Sequence, residues 1–311
     1  MPVTLEQARL QTSDAIDLAV IDEFSRSPLL DLMTFDDTAS TATGGSTFTY
    51  GYTRLVSPSS ASFRAINTEF APDEATIQRH TVDLKILGGS FQVDRILRNV
   101  GQTVALQMNE KIKATREEFA DAVINGDSGV NADSFDGLSK ALAGTSTEIA
   151  SGTYDWSGTM NDAKAWDIIE SLDDIISHLD GDPSVIIANK AVINKIKSAV
   201  RRTNQYTETV TALGETRAQY GSAILVDAGT RAGTGNAIIP IDSGSTDLYV
   251  ARLGLDGFHA AAAAGGSIIR QYQPNFDTPG AVKTGEVELG PIAPVLKRTK
   301  AAAVARGIRL S

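Results

Sequence analysis

Residues 93–126 constrain this chain more than any other stretch. They read VDRILRNVGQTVALQMNEKIKATREEFADAVING, and the larger apolar residues are Val93, Ile96, Leu97, Val100, Val104, Met108, Ile112, Phe119 and Val123. Spacings of three, four and seven keep these on one stripe of a 3.6-residue helix. Glu110, Lys111, Lys113, Arg116, Glu117 and Glu118 crowd the other faces. At ~1.5 Å per residue, the part after Gly101 alone spans roughly 35 Å, the width of a small domain. Asn125-Gly126 is a suitable stop, because glycine tolerates the left-handed conformation of a helix C-terminus. Such a helix is a spine in need of a second layer, and Gly101 is the expected break between a short first helix and the spine proper.

The segments before the spine look incomplete by themselves. Residues 4–24 read as a helix opened by a Thr4/Gln7 capping-box pattern and stopped before Pro28, with a thin apolar stripe. Residues 1–40 carry eight acids against Arg9 and Arg26. This is either a solvated helical face or an arm that packs on another subunit. Residues 47–56, TFTYGYTRLV, alternate as a strand does. Ser57-Pro58-Ser59-Ser60 is a turn, and 61–66 (ASFRAI) is expected to head back. Phe48, Tyr50 and Tyr52 would share one face of this hairpin. A two-stranded hairpin alone is marginal in water, so it needs cover, from a neighbouring copy or from its own domain. A strand with Val82, Leu84 and Ile86 on one face follows, with Gly88-Gly89 turning it into the spine.

After the spine come a loop anchored by Phe135 and Leu138, and a small, polar segment at 145–158 that reads as a domain boundary. Ala165, Ile168, Ile169, Leu172, Ile175, Ile176 and Leu179 mark an amphipathic helix beginning at Asn161 and ended by Gly181-Asp182-Pro183. Residues 184–188, SVIIA, form a short apolar strand, and Asn189 caps a further helix with Val192, Ile193, Ile196 and Val200. Residues 201–220 read as an exposed loop, then SAILVD, NAIIPID and DLYVAR as strands. The tail, 267–311, is mostly extended and carries Lys297, Arg298, Lys300, Arg306 and Arg309 with no acid after Glu288. Helices and strands in this order describe an α+β architecture.

Chemistry has little foothold. The formal charge of -10 disfavours a general nucleic-acid binder. With no cysteine there is no disulfide, thiolate nucleophile or cysteine metal site. Residues 1–10 lack the basic and apolar regions of a signal peptide, and the longest apolar run, 258–264, is too short for a membrane span. Gly126-Asp127-Ser128-Gly129 matches the nucleophile tetrapeptide of chymotrypsin-like proteases, but only His80 precedes it, too near for the double barrel. His80, His178 and His259 are scattered, without HExxH spacing. Asp127, Asn131, Asp133 and Asp136 resemble a calcium loop only loosely: Gly129 takes the third position and no glutamate closes it. Lys283-Thr284 lacks a phosphate loop, and Gly233-Thr234-Gly235 is a turn. No catalytic, cofactor-binding or metal residue is assigned, and the chain is not read as an enzyme.

The order of acidic arm, serine-rich hairpin, strand TVDLKILGGSFQVDRIL, long helix EEFADAVINGDS and anchor FDGL resembles a tailed-bacteriophage major capsid protein of the HK97-like fold. The run DAKAWDIIESLDDIISHL, PSVIIANKAVINKIKSAV and LGETRAQYGSAILVD is similar to that family's core domain. The resemblance covers nearly the whole chain. It implies an N-terminal arm (1–44), an extended loop (45–76), a peripheral domain with the spine helix (77–154), an axial domain (155–252) and returning strands of both domains (253–311). It further implies hexamers and pentamers closing into an icosahedral virion shell around double-stranded DNA, assembled in the host cytoplasm. Partners would be other copies of the chain, a portal, decoration proteins in some cases and a scaffold, with no membrane. An encapsulin, a nanocompartment shell of the same fold, is the nearest alternative, and a GDSG hydrolase a distant one.

Two departures from the family carry expectations. Some members cross-link through a lysine on the extended loop, whereas the first lysine here is Lys85; the loop offers Arg54 and Arg64, which cannot act as that amine at neutral pH. No isopeptide network is expected. Some relatives carry a scaffolding extension before the arm; here the chain starts at the arm, which implies a separate scaffold protein or proteolytic removal, and Met1 favours the separate scaffold. The acidic arm and basic tail offer opposite charges for contacts between subunits.

Overall fold

The computed structural model describes residues 29, 32–37, 48–95, 103–205, 207–210, 216–263 and 268–311. The expected arm helix and the break at Gly101 lie outside them. The apolar stripe is a helix, α1 (Thr103–Asn125), with Met108, Ile112, Phe119 and Val123 buried. It lies on a five-stranded sheet of β1 (Phe35–Asp36), β4 (Lys85–Asp94), β11 (Phe258–Ala262), β12 (Ile269–Tyr272) and β13 (Val282–Leu296). The long β13 is the centre, pairing with β4, β11 and β12, all antiparallel.

Residues 85–94 depart from expectation. The strand β4 runs straight through Gly88-Gly89 and ends at Asp94, so Val93 belongs to the sheet and not to the helix. Gly88 is there for closeness: a Cβ on it would collide with the carbonyl of Val287 on β13. The preceding strand, β3 (Thr76–Asp83), ends one residue before β4 begins, and the alternation changes phase at Leu84. Leu84, Phe91 and Val93 are buried while Ile86 faces solvent. Gly126 is likewise a matter of space. It has no positive φ, but a Cβ would strike the carbonyls of Ala122 and Phe135 where the loop closes on the helix end. Phe135 and the short helix α2 (Leu138–Leu142) anchor that loop in the core.

The second sheet has seven strands, in the order β5 (Glu148–Ile149), β14 (Ala302–Arg309), β10 (Ser245–Ala251), β6 (Val185–Ala188), β9 (Ala223–Asp227), β8 (Thr216–Tyr220) and β7 (Thr207–Val210). Two helices cover one face, α3 (Asp162–Ser177) and α4 (Lys190–Arg202). Both are capped as their sequences indicate: Asn161 Oδ1 accepts from Lys164 N, and Asn189 Oδ1 from Val192 N. The sheet is a wall between two cores, and period two sorts its residues. Val185, Ile187, Tyr249, Ala251 and Val304 join the α1 core. Ile186, Ala188, Leu248, Val250, Ala303 and Ala305 join the α3/α4 core. Segment 145–158 is part of this wall, because β5 pairs with β14 and Trp156 is fully buried with its indole N–H on Ser171 Oγ.

Two further segments differ from the sequence reading. Residues 201–220 are not all loop: β7 and β8 form a hairpin that continues the sheet through β9. NAIIPID is not a strand. Only isolated bridges at Ala237 and Asp242 touch it, and Pro240 has no N–H for a ladder. Its apolar content reflects burial of Ile238 and Ile239. The extended tail is as expected, supplying β12, β13 and β14.

Candidate functional site: the docked hairpin and its free tip

Strands β2 (Thr49–Ser57) and β3 pair from Thr49↔Asp83 to Ser57↔Thr76. The return strand is therefore TIQRHTVD, not ASFRAI. Residues 58–75 connect the two without strand structure, and Phe63 and Ile66 pack on no surface among the described residues.

The base of the hairpin is fixed by alternating side chains of β2. Tyr50 is buried, donates its hydroxyl to Asp36 Oδ2 at 2.7 Å, and meets the ring of His259 edge-on at 5.8 Å. Tyr52 donates to the Leu296 carbonyl at 3.1 Å and stacks on His80 at 5.5 Å. Arg54 donates to the carbonyls of Lys297 (3.0 Å) and Leu296 (2.8 Å). Lys297 Nζ sits over the Tyr50 ring. The reading that the hairpin packs within its own domain thus holds for Tyr50 and Tyr52, whereas Phe48 is exposed. Burial raises the Tyr52 phenol, and desolvation lowers the imidazole of His80, followed by the Arg54 charge. Both are neutral groups at neutral pH.

Beyond Arg54 the hairpin leaves the molecule. Every residue from 55 to 79 is exposed, among them Leu55, Val56, Phe63, Ile66, Phe70 and Ile77. Phe63 has 106% relative exposure and Ile66 89%, as open as side chains become. The tip still has local shape. Ser60 N–H and Oγ both donate to Asp73 Oδ2 at 2.6 Å, and Arg64 lies over the Phe70 ring at 5.2 Å.

The sequence-level catalytic candidates do not converge. A groove of about 600 Å3 between hairpin and helix end is lined by His80, Ser128, Asp136 and Lys140. Yet Ser128 Oγ lies 3.4 Å from Lys140 Nζ and bonds the Asp136 carboxylate that Lys140 pairs with, while the His80 ring stacks on Tyr52. Lys140 bridges Asp127 (2.5 Å) and Asp136 (3.0 Å), and the Ser128 N–H donates to Asp136. GDSG is the clasp of a loop. The Lys140 hydrogen bond is the main reason the Asp127 carboxyl titrates low. Asn131 Oδ1 accepts from Asp133 N–H, an ordinary Asx turn. His178 caps α3, its Nδ1 on the Asp174 carbonyl. His259 is fully buried; burial holds its imidazole below the ordinary value, with Lys297 as the next cause.

One tail residue has a role that charge counting missed. Arg306 is half-enclosed and internal, donating to Glu148 (2.9 Å), Asp247 (3.0 Å), Ser139 Oγ and O, and Tyr249 Oη. It joins β14, β10, β5 and the start of α2, and no local signal separates it from Lys297, Arg298 and Lys300.

No family model and no curated protein matches this chain. Solved structures do. The holo-SrpI encapsulin complex from Synechococcus elongatus PCC 7942 is similar with a TM-score of 0.63 at 13% identity, over 92% of this chain and 89% of that one. The capsid of the native GTA particle gives 0.58 at 12% identity, over 91% and 90%. The capsid of Myoviridae phage XM1 gives 0.58 at 8% identity, over 91% and 92%. Shared architecture over nine-tenths of each chain, with this little identity, makes the fold the HK97-like major capsid fold. It is the architecture that the order of elements in the sequence indicated.

Proposed function

We propose that this chain is a structural shell protein. Copies assemble as hexamers and pentamers into a closed icosahedral phage head around double-stranded DNA. The observation that carries this reading is the hairpin tip: 55–79 is uncovered throughout and bears several large apolar side chains, a surface that a single copy leaves in water. A neighbouring copy is the simplest cover. The work of such a protein is contact between copies. In this reading 1–44 is the arm, 45–76 the extended loop, 77–154 the peripheral and 155–252 the axial domain, with 253–311 returning through both. A scaffold and a portal would be partners, the host cytoplasm is the site of assembly, and the virion the destination.

A negatively charged shell suits a genome that must enter and leave, since weak contact with the wall does not hold DNA back. The likeness to an encapsulin favours a second reading, a nanocompartment shell. Negative-stain microscopy of the purified chain, with analysis of particle contents, tests both. Closed particles of uniform diameter enclosing DNA support the phage head; enclosed protein cargo supports the compartment; monomers at high concentration contradict both.

A further inference from the structure

A ten-residue sheet edge is open on this molecule. Strand β4 pairs with β13 on one side, while β11 and β12 take the far side of β13, so no strand among the described residues lies along the outer side of β4. The register with β13 is unbroken from Leu87↔Leu289 to Asp94↔Val282, and Arg95 N–H donates to the Ala281 carbonyl in the same phase. Bonding residues alternate in an antiparallel pair. Leu87, Gly89, Phe91 and Val93 therefore bond to β13, and the N–H and C=O of Gly88, Ser90 and Gln92 point outward. All three residues are exposed, and Gly88 has only main chain to expose. Their outward groups have no hydrogen-bond partner among the described residues. Sheet edges are commonly guarded by proline, charge or a bulge. From Ile86 to Val93 there is no proline and no charged side chain, and the bulge against β13 lies before Leu87. The other edges are shorter or charged: β1 and β5 have two residues, β7 and β12 have four, with Glu208 and Arg270, and the hairpin strands carry Arg54 and Arg79.

The hairpin tip holds the converse, a strand-like run without a ladder. Residues 61–64 (ASFR) are exposed and outside any strand, and their main-chain groups have no hydrogen-bond partner among the described residues. Ala61 and Phe63 alternate with Ser62 and Arg64, as on the two faces of a strand. The run is held between two fixed points: Ser60 bonds to Asp73 on one side, and a turn closed by Thr68 N–H on the Ala65 carbonyl follows on the other.

We propose that residues 61–64 of one copy add to the open edge of β4 in a neighbouring copy, as a further strand of its five-stranded sheet. This rests on the shell reading above and names the surface that covers the tip. Main-chain bonds from Gly88, Ser90 and Gln92 supply the ladder, the mode by which an extended segment joins an exposed edge. Phe63 can then lie on the small Gly88–Ser90 surface beside Ile86, which is 64% exposed; an aromatic ring across from an edge glycine stabilises such a pairing. A second β4 edge would also match the main chain, but it would leave Phe63 and Ile66 in water.

Ser90→Pro tests the ladder, because the Ser90 N–H points away from β13 and proline is tolerated at such an edge position. It should lower particle yield about tenfold, as the loss of one or two main-chain bonds per contact does, while Ser90→Ala assembles like the unmodified chain. Melting of the dissociated Ser90→Pro chain checks that the subunit is intact; where it is not, Ser90→Lys, an edge guard that keeps the N–H, carries the same expectation. Full yield from the guarded edge, or an equal loss from Ser90→Ala, overturns the ladder and leaves the shell reading intact. An unmodified chain that never forms particles overturns both.

Two readouts identify the occupant. Amide exchange at Gly88, Ser90 and Gln92 of the unmodified chain should slow about tenfold or more on assembly; equal rates in dissociated and assembled chain contradict the proposal. Since the chain has no cysteine, a short bis-maleimide should join Phe63→Cys to Ser90→Cys in particles of the double variant, giving a series of covalent oligomers. Each single variant should stay unlinked. Dimers from Ser90→Cys alone assign the edge to a second β4, and exchange protection without a link between 63 and 90 assigns it to another segment; either result overturns the proposal.

Discussion

At its base the β2–β3 hairpin is tied to the sheet by Tyr50, Tyr52 and Arg54, while from Leu55 to Arg79 the same two strands and their connection stand in solvent. Both parts alternate in the same way and both carry large apolar side chains. They differ in what lies opposite. The base meets β13, β11 and Asp36, so its polar tips find carbonyls and a carboxylate. The tip has no such wall among the described residues. A base substitution should therefore be felt by the single folded chain, and a tip substitution by the assembly.

The largest effect expected is at the tip. Phe63→Asp with Ile66→Asp should abolish particles while the melting of the single chain stays within about 0.5 kcal/mol, as for exposed sites generally. Loss of chain stability instead would mean that the tip packs within its own subunit. Next is the base. Tyr50→Ala removes a buried ring and leaves Asp36 without its hydroxyl donor, which should cost about 3 kcal/mol in denaturant unfolding of the dissociated chain. A negligible cost would place the docking energy elsewhere. A smaller effect is expected at the corner where the hairpin leaves the sheet. Neutralising Lys297, Arg298 and Lys300 together should weaken assembly a few-fold at moderate salt, through the acidic arm. Unchanged particle yield and stability would exclude those charges from assembly.

The smallest effect is a pH dependence seated behind the base. His259 is buried and its imidazole titrates below 6.5 in the folded chain, chiefly through desolvation. The unfolded chain then binds the extra proton first, so stability is full above that value and declines as pH falls from it toward the depressed one. His259→Leu should flatten that decline. His80, also depressed, lies on the outer part of the hairpin and should contribute less.

Much of the fold was legible because it is local. The α1 stripe, the Asn189 cap, the helix start at Asn161 and the apolar β6 depend on neighbours within a few residues. The return strand of the hairpin was not, because TIQRHTVD shows only Ile77 and Val82 as apolar markers and pairs across a long connection without strand structure. Gly88-Gly89 looked like a turn because its true reason, the approach of β13, lies about two hundred residues away. The site divides along the same line. That an aromatic hairpin needs cover could be read from composition and period; that its own sheet supplies it for Tyr50 and Tyr52 could not. The carbonyls that hold Arg54 and the acids that hold Arg306 could not, since tertiary pairing alone decides which arginine is internal.

The central claim is that a surface bare in one copy is covered by another, and the lack of cysteine allows a direct measurement. In a Phe63→Cys chain, maleimide labelling should be fast in dissociated subunits and slowed at least tenfold in assembled particles. Equal rates in the two states would contradict the account.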